Sequence, residues 1–208
     1  MVCPQYHRNH QLFLDLAKRQ PRDRAVPTAE AKKCLPLDDD VNLSQIDDEA
    51  ARIRIVHAKN LHITLKFLGS VLASQLDEIE ARLKQLASRH EPLALHCRGI
   101  GLFKNSLWLG ISPNDRLSTI AADLNQTFST QVPGSNDRTT NTKPYVPHVT
   151  VARFSREAKP QLLIVKRQYE DTHWGDFQVK QFHMYRSQTV EGGARYSIID
   201  SYSLVDPD

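Results

Sequence analysis

The chain has 208 residues, of which 40% are hydrophobic and 25% are charged, and its formal net charge is +3. These proportions are ordinary for a soluble globular protein, and the length suffices for one large domain or two small lobes. No run of 18 apolar residues is present, which excludes a membrane-spanning helix, and the start of the chain lacks the apolar stretch of a secretory signal. We therefore expect a cytoplasmic protein whose slight positive charge suits a polyanionic partner without requiring one.

The cysteines and glycines argue against several common kinds of site. Cys3, Cys34 and Cys97 are far apart and form no CxxC pair, so they indicate neither a disulfide framework nor a zinc knuckle. The sequence contains no GxGxxG and no GxxxxGK[ST] stretch, the glycine-rich loops that hold nucleotide phosphates. The histidines outside the two motifs described below show no metal-ligand spacing. We therefore expect no metal ion and no other cofactor.

The periodicity of apolar residues predicts most of the secondary structure. Two segments repeat apolar residues every three or four positions, which predicts amphipathic helices at 73–89 and 115–129. Alternating or continuous apolar runs predict the strands. One strand is predicted at 11–17, and two more within 53–69, separated by a turn near residues 59–60. The others are predicted at 93–103, 106–112, 148–154, 177–188 and 194–204.

Paired strands with helices between them favour an α+β fold over a doubly wound parallel sheet. We expect one domain that covers residues 1–208. Within it, residues 1–11 are predicted to be a mobile polar leader. Residues 18–51 are predicted to form a long loop, because they are charged and contain several prolines. No element is assigned to the variable stretch at 155–175.

A histidine and a threonine stand two positions apart in two predicted strands, in "NLHITLKFLG" (60–69) and in "PHVTVARF" (147–154). Alternate side chains of a strand share a face, so the histidine and the threonine of each motif lie on one side. The aliphatic residues between them lie on the other. Each strand can therefore bury its aliphatic face and offer an imidazole and a hydroxyl to a cleft.

His62 and His148 stand 86 positions apart (148 minus 62), which predicts two similar lobes whose His-x-Thr strands face each other across a groove. A neutral imidazole can take a proton from a nucleophile, and a protonated imidazole can give one to a leaving group. The threonine hydroxyls can donate to oxygens that gain negative charge. A strained 2′,3′-cyclic phosphate fits this arrangement best. A single histidine in an apolar strand is usually structural, so the repetition is what favours catalysis; either histidine can be the base.

These residues resemble the 2H phosphoesterase superfamily, which is defined by paired H-x-[ST]-x motifs. Within it, they are most similar to the bacterial and archaeal RNA 2′,3′-cyclic phosphodiesterases, also called 2′-5′ RNA ligases. The resemblance runs from about residue 52 to the end and includes "LWLGI" (107–111) and "GGARYSII" (192–199). It implies a bilobal α+β fold with two pseudo-symmetric lobes, each with a mainly antiparallel sheet and helices, and a cleft between them.

The resemblance also implies an activity and a set of site residues. The activity is opening of an RNA 2′,3′-cyclic phosphate to a 2′-phosphate without a metal, and ATP-independent joining of RNA ends through a 2′-5′ bond. His62 and His148 would be the acid–base pair, and Thr64 and Thr150 the phosphate-holding hydroxyls. Arg153 matches an arginine that often follows the second motif and would clamp the phosphate. In a straight strand, alternation would place Arg153 on the side opposite to His148. A β-bulge is therefore needed to bring Arg153 to the same side as the histidine.

Two aromatic residues are candidates for stacking an unpaired base, Tyr145 and Phe13, with core packing as the alternative for each. The expected partners are RNA ends or nucleotide 2′,3′-cyclic phosphates, with no membrane, and the chain is expected to be a monomer. One alternative is a non-catalytic module that binds nucleotides or RNA ends. Another is a 2H phosphodiesterase for a different cyclic phosphate or a small-RNA 3′ end. Residues 18–51 form a longer segment than the family usually places before the first motif.

Overall fold

The structure is a computed structural model that describes residues 8–15, 53–128, 144–190 and 193–205. Within these ranges it contains nine strands and three α-helices. The strands are β1 (Arg8–Asp15), β2 (Ile53–Ile55), β3 (His62–Val71), β4 (Leu93–Leu102), β5 (Ser106–Ile111), β6 (His148–Phe154), β7 (His173–Val179), β8 (Gln181–Val190) and β9 (Gly193–Ser203). The helices are α1 (Leu76–Ala87), α2 (Asp115–Thr127) and α3 (Lys159–Gln168).

All the strands belong to one sheet, and the pairs between neighbours are antiparallel. The order is β7-β4-β5-β6-β3-β1-β8-β9, with β2 paired to β6. The sheet thus has two halves, β7-β4-β5-β6 and β3-β1-β8-β9. In the described ranges the halves are joined where Ile63 of β3 lies opposite Val149 of β6.

Strands β2 and β3 use different parts of the same edge of β6. Ile53 pairs with Phe154 and Ile55 with Ala152, near the end of β6, whereas β3 pairs near its start. A short 3-10 helix, Ala58–Asn60, lies between β2 and β3. The chain therefore leaves the edge of β6 for a few residues and returns to it at the first His-x-Thr motif.

The helices cover one face of the sheet, where α1 packs against β9, α2 against β3 and α3 against β4. Helix α1 has Asp77 and Glu78 in its first turn, where the helix dipole favours negative charge. Helix α2 follows Asn114, whose side-chain oxygen accepts a hydrogen bond of 2.9 Å from the Leu117 N–H. The core lies between helices and sheet. No helix of the described ranges is long and apolar enough to cross a membrane.

The α+β prediction is confirmed, and the two helices predicted at 73–89 and 115–129 are present as α1 and α2. The two halves of the sheet correspond to the two expected lobes. The motif strands β3 and β6 are neighbours where these halves meet, a pairing that the sequence did not predict. Sequence periodicity shows which face of a strand is buried, but it does not show which strand lies beside it.

Three further elements differ from the sequence prediction. Residues 8–11, expected in the mobile leader, lie in β1, whose backbone pairs with β3 on one side and β8 on the other. The strand predicted at 177–188 is split at Lys180 into β7 and β8. Helix α3 was not predicted because its four consecutive apolar residues form no clear stripe: Leu162 is fully buried but Ile164 is 67% exposed. The loop predicted at 18–51 lies outside the described residues.

We predict that Ile63→Ala lowers the free energy of unfolding by about 2–5 kcal/mol, because it leaves a cavity where a fully buried side chain joins the two halves. The measurement is equilibrium urea unfolding. Ile55→Ala is the matched control, since Ile55 lies in β2 on the same edge of β6 and is 51% exposed. The control should change the stability by less than about 0.5 kcal/mol. Equal losses in the two variants would contradict the role given to Ile63.

Candidate active site

The pairing of Ile63 with Val149 brings the two motifs together. Residues on either side of a matched antiparallel pair also face each other, so each histidine lies across from the threonine of the other motif. Because Ile63 and Val149 point into the core, the polar residues share the opposite face of the sheet. We call it the histidine face; its four partly exposed motif residues are His62, Thr64, His148 and Thr150.

Each imidazole is held by a backbone carbonyl two residues earlier in the chain. The Nδ1 atom of His62 lies 2.6 Å from the carbonyl oxygen of Asn60, and Nδ1 of His148 lies 2.8 Å from that of Val146. A carbonyl oxygen can only accept a hydrogen bond, so Nδ1 carries a proton and donates in both rings. Nε2 is therefore the atom through which each histidine can accept or release a proton.

The segments that lead into the two strands supply these carbonyls. Asn60 is the last residue of the 3-10 helix that separates β2 from β3. Val146 is followed by Pro147, and a residue before proline is restricted to extended conformations. Local backbone geometry thus fixes each acceptor independently of the rest of the site.

A β-bulge in β6 turns Arg153 onto the histidine face. The register between β5 and β6 shifts by one residue between Leu107 and Trp108, which leaves Val151 as an extra residue in β6. An extra residue reverses the alternation beyond it, so Arg153 lies on the same side as His148. Consistent with this, Arg153 is exposed whereas both of its neighbours in β6 are buried. The bulge that Arg153 needs is therefore present.

Strand β3 carries an equivalent bulge. The register between β1 and β3 shifts between Leu12 and Phe13, which leaves Leu65 as the extra residue. Phe67, which is 57% exposed, therefore takes the position in β3 that Arg153 takes in β6, the fifth residue after the histidine. Strict alternation would place Phe67 among the core residues, so sequence reasoning missed it.

Tyr196 of β9 lies against His62, with the ring centroids 5.1 Å apart and the planes at 71°. Burial raises the pKa of the Tyr196 hydroxyl, and the positive charge of Arg153 opposes this shift. The charge of Arg153 therefore acts on the tyrosine that contacts the imidazole of His62.

Two aromatic rings stand beside His148. Phe103 meets it edge to face, with the centroids 4.9 Å apart and the planes at 86°, and Trp108 lies at 5.8 Å. The indole lies flat against the backbone of Gly101, where a Cβ atom would stand 2.0 Å from Cζ2 of the ring. Any residue larger than glycine at position 101 would displace the indole.

The indole N–H of Trp108 is buried and has no hydrogen-bond partner among the described residues. An unpaired buried donor costs about 1–3 kcal/mol, a cost that phenylalanine at the same place would avoid. Stability alone therefore does not explain a tryptophan beside His148.

Comparison with known proteins identifies the family of this site. Residues 42–191 match the sequence model of the 2′-5′ RNA ligase superfamily. The chain belongs to this superfamily. It is 30% identical over 156 residues to the RNA 2′,3′-cyclic phosphodiesterase of Methanocaldococcus jannaschii, covering 72% of this chain and 84% of that protein. It is 32% identical over 155 residues to the RNA 2′,3′-cyclic phosphodiesterase of Escherichia coli K12, covering 73% of this chain and 80% of that protein.

A solved structure of the superfamily shares the fold. The crystal structure of E. coli LigT complexed with 3′-AMP aligns with 97% of this chain and 100% of that chain, with a TM-score of 0.65 and 25% sequence identity. The expected resemblance to 2H phosphoesterases is confirmed.

Tyr145, one of the two candidates for base stacking, has contacts within the protein. Its hydroxyl donates a hydrogen bond of 3.2 Å to the carbonyl oxygen of Thr64, and its ring packs against the core. Burial raises the pKa of this hydroxyl strongly. These contacts favour the core-packing alternative, and base stacking by Tyr145 stays a prediction.

Phe13, the other candidate, lies opposite Thr64 in the register of β1 with β3, and opposite His183 in the register of β1 with β8. Its backbone is thus beside the first motif. Its side chain lies outside the described residues, so its proposed contact with a base stays a prediction.

Two other features bear on where ligands can bind. In the ranges given above, no three histidine, cysteine, aspartate or glutamate side chains are grouped so that they could hold a metal ion. A groove of about 540 Å³ lies between α1 and α2 and includes Arg82, Arg89 and Asp123 in its lining. The helices cover the face opposite to the histidines, so this groove is separate from the candidate site.

We predict that Arg153→Gln raises the pKa of Tyr196. The guanidinium favours the tyrosinate form, so its removal leaves the effect of burial unopposed and the hydroxyl keeps its proton to higher pH. The pKa can be followed by NMR titration of ¹³Cζ-labelled tyrosine. Arg156→Gln removes an exposed arginine just beyond β6 and should leave the pKa of Tyr196 unchanged. If the two variants give the same pKa, the charge of Arg153 does not act on Tyr196.

Proposed function

We propose that the chain opens RNA 2′,3′-cyclic phosphate ends to 2′-phosphates by proton transfer between His62 and His148, without a metal ion. One observation carries the proposal: both imidazoles are held through Nδ1 in the same way, on one face, each across from the threonine of the other motif. The relatives in M. jannaschii and E. coli, which are RNA 2′,3′-cyclic phosphodiesterases, support the substrate class.

In the proposed step, a water oxygen attacks the phosphorus in line with the bond to O3′. Nε2 of one neutral histidine takes the proton of the water as the new P–O bond forms. The P–O3′ bond breaks, and Nε2–H of the other histidine protonates O3′. The products are a 2′-phosphate monoester and a free 3′-hydroxyl, and the proton has moved from one histidine to the other. The two motifs are near-symmetric, so we assign no order to the two roles.

The remaining residues of the histidine face would stabilise the phosphate as its charge develops. Thr64 and Thr150 each offer a hydroxyl that can donate to a non-bridging oxygen. The exposed guanidinium of Arg153 offers a positive charge and two parallel donors for a second contact with the phosphate. These donors take over the stabilising role that a metal ion plays in other phosphodiesterases.

The same site can join RNA ends. If the 5′-hydroxyl of a second RNA replaces the water, its oxygen attacks the phosphorus and O3′ leaves as before. The phosphorus is then bonded to O2′ of one RNA and O5′ of the other, which is a 2′-5′ linkage. No ATP is required, because the strained ring supplies the driving force. Both motifs lie in one chain, so we propose that a monomer is active.

We predict that His62→Ala and His148→Ala each lower kcat by about 10²–10⁴-fold, since each removes one proton transfer. The measurement is release of product from cytidine 2′,3′-cyclic phosphate in the presence of EDTA, with the position of the phosphate determined by ³¹P NMR. His96→Ala is the control, because His96 is an exposed histidine of β4 that pairs with Asp176. This variant should keep the wild-type rate.

The outcomes separate the alternatives. Full activity in either motif variant rejects the catalytic assignment, and loss of activity in EDTA rejects the metal-independent mechanism. Binding of the cyclic nucleotide without turnover by the wild-type chain would favour a non-catalytic binding module. Turnover of another cyclic phosphate with none of this substrate would favour a different 2H phosphodiesterase.

We predict that Thr64→Val and Thr150→Val each lower kcat by about 10²–10³-fold. Valine keeps the shape of threonine but removes the hydroxyl that would stabilise the phosphate in the transition state. Thr119→Val, in the exposed part of α2, is the control. Thermal unfolding of all three variants distinguishes a catalytic effect from a loss of folded protein. If kcat stays unchanged in a folded variant, that threonine does not contact the phosphate in the transition state.

A further inference from the structure

We propose that Arg54 of β2, beside Arg153 of β6, binds the phosphate that links the terminal nucleotide of the RNA to its neighbour. The inference rests on the proposed function for the position of the cyclic phosphate, and it adds a second phosphate site. Such a site makes the enzyme favour an RNA strand over a mononucleotide. The ligand class is therefore an oligoribonucleotide with a charged internal linkage.

Arg54 continues the rows of facing side chains that make up the candidate site. The two motifs form two such rows, each of a histidine and a threonine, where β3 pairs with β6. Further along the same edge β6 pairs with β2, and there Arg54 lies directly opposite Arg153. Directly opposed residues of an antiparallel pair share a face. The two arginines therefore form a third row on the histidine face, which we call the arginine row.

The side chain of Arg54 points away from the core. Its neighbour Ile53 packs against the core, and successive residues of a strand lie on opposite faces. Arg54 and Arg153 are both exposed. The short 3-10 helix that follows β2 ends at Asn60, whose carbonyl oxygen holds the ring of His62. A short stretch of ordered backbone thus connects Arg54 to one of the two proposed acid–base residues.

The charges of the arginine row suit an anion. Like charges directly across from each other weaken the pairing of two strands, because their Cβ atoms are only about 4.5–5.5 Å apart. Stability therefore does not favour two arginines in one row. A phosphate group beside them offsets the repulsion and accepts charge-assisted hydrogen bonds, for which the planar fork of a guanidinium is well shaped.

The arginine row follows the motif rows without a gap. On β6, Thr150 and Arg153 are successive residues of the histidine face, because Val151 is the bulge and Ala152 is buried. A mononucleotide 2′,3′-cyclic phosphate has one phosphate, which the motif rows would hold. An RNA with the same end has its next phosphate one nucleotide away. The arginine row offers that phosphate a contact that does not depend on the base sequence.

The test compares two substrates that differ in a single charge. Both are cytidine dinucleotides that end in a 2′,3′-cyclic phosphate; the internal linkage is a phosphodiester in one and an uncharged methylphosphonate in the other. We expect the charged linkage to raise kcat/KM by about 5- to 30-fold in the wild type. Arg54→Gln should remove most of this advantage. Arg156→Gln, which removes an exposed arginine just beyond β6, is the control and should keep it.

Affinity provides a second measurement that does not require turnover. Calorimetry with the corresponding dinucleotide 2′-phosphates, which are the proposed products, measures binding at increasing salt concentration. In the wild type, the affinity for the phosphodiester should fall more steeply with salt than that for the methylphosphonate, because salt screens the additional charge contact. Arg54→Gln should remove this difference. Thermal unfolding of both variants shows whether the fold is kept.

The outcomes distinguish the second phosphate site from the proposed function. Turnover of both dinucleotides with equal kcat/KM in the wild type overturns the inference and leaves the proposed function standing. The inference is also overturned if a folded Arg54→Gln variant keeps the advantage, or if Arg156→Gln loses it. A difference in affinity that depends on Arg54, without turnover of either substrate, would sustain the second phosphate site and reject the proposed function.

Discussion

The pairing of β3 with β6 is the contact on which the rest of the site depends. Ile63 and Val149 are buried in the core, and their register determines which polar side chains emerge together on the other face. A slip of one residue in either strand would turn its histidine into the core and expose an aliphatic side chain. Burial of the aliphatic pair therefore stabilises the fold and aligns the two imidazoles at the same time. The histidines need no direct contact with each other to be positioned.

The two bulges extend this alignment beyond the His-x-Thr motifs. Each follows its threonine by one residue, at Leu65 in β3 and at Val151 in β6. A bulge changes the side on which the following residue emerges, so each strand adds one more side chain to the histidine face. In β6 that side chain is the cationic Arg153, and in β3 it is the apolar Phe67. The backbone of the site is thus nearly two-fold symmetric, whereas its side chains are not.

The part of this site that is encoded locally could be predicted from the sequence. Alternation along a strand placed His62 and Thr64 on one face, and the same rule applied to His148 and Thr150, because a strand has a period of two whatever its neighbours are. The need for a bulge before Arg153 followed from the same rule. The apolar periodicity of α1 and α2 located both helices, since each has one buried stripe.

The remaining features depend on contacts between distant parts of the chain. Tyr196 reaches His62, and Phe103 reaches His148, across strands that are far apart in sequence. No local pattern shows such contacts, and β3 and β6 could not be recognised as neighbours for the same reason. Residues 8–11 are polar, yet pairing on both sides holds them in β1. Backbone hydrogen bonds to neighbouring strands are independent of side-chain hydropathy, so composition gave no sign of them.

The symmetry of the backbone and the asymmetry of the side chains have different consequences. Two imidazoles that donate through Nδ1 in the same way are equivalent as acids and bases, so the motifs alone do not orient a substrate. The orientation must come from the neighbours of each ring. Phe103 and Trp108 lie against His148, whereas Tyr196, on which the charge of Arg153 acts, lies against His62. The surroundings of the two imidazoles are therefore chemically different, although the backbone holds both rings in the same way.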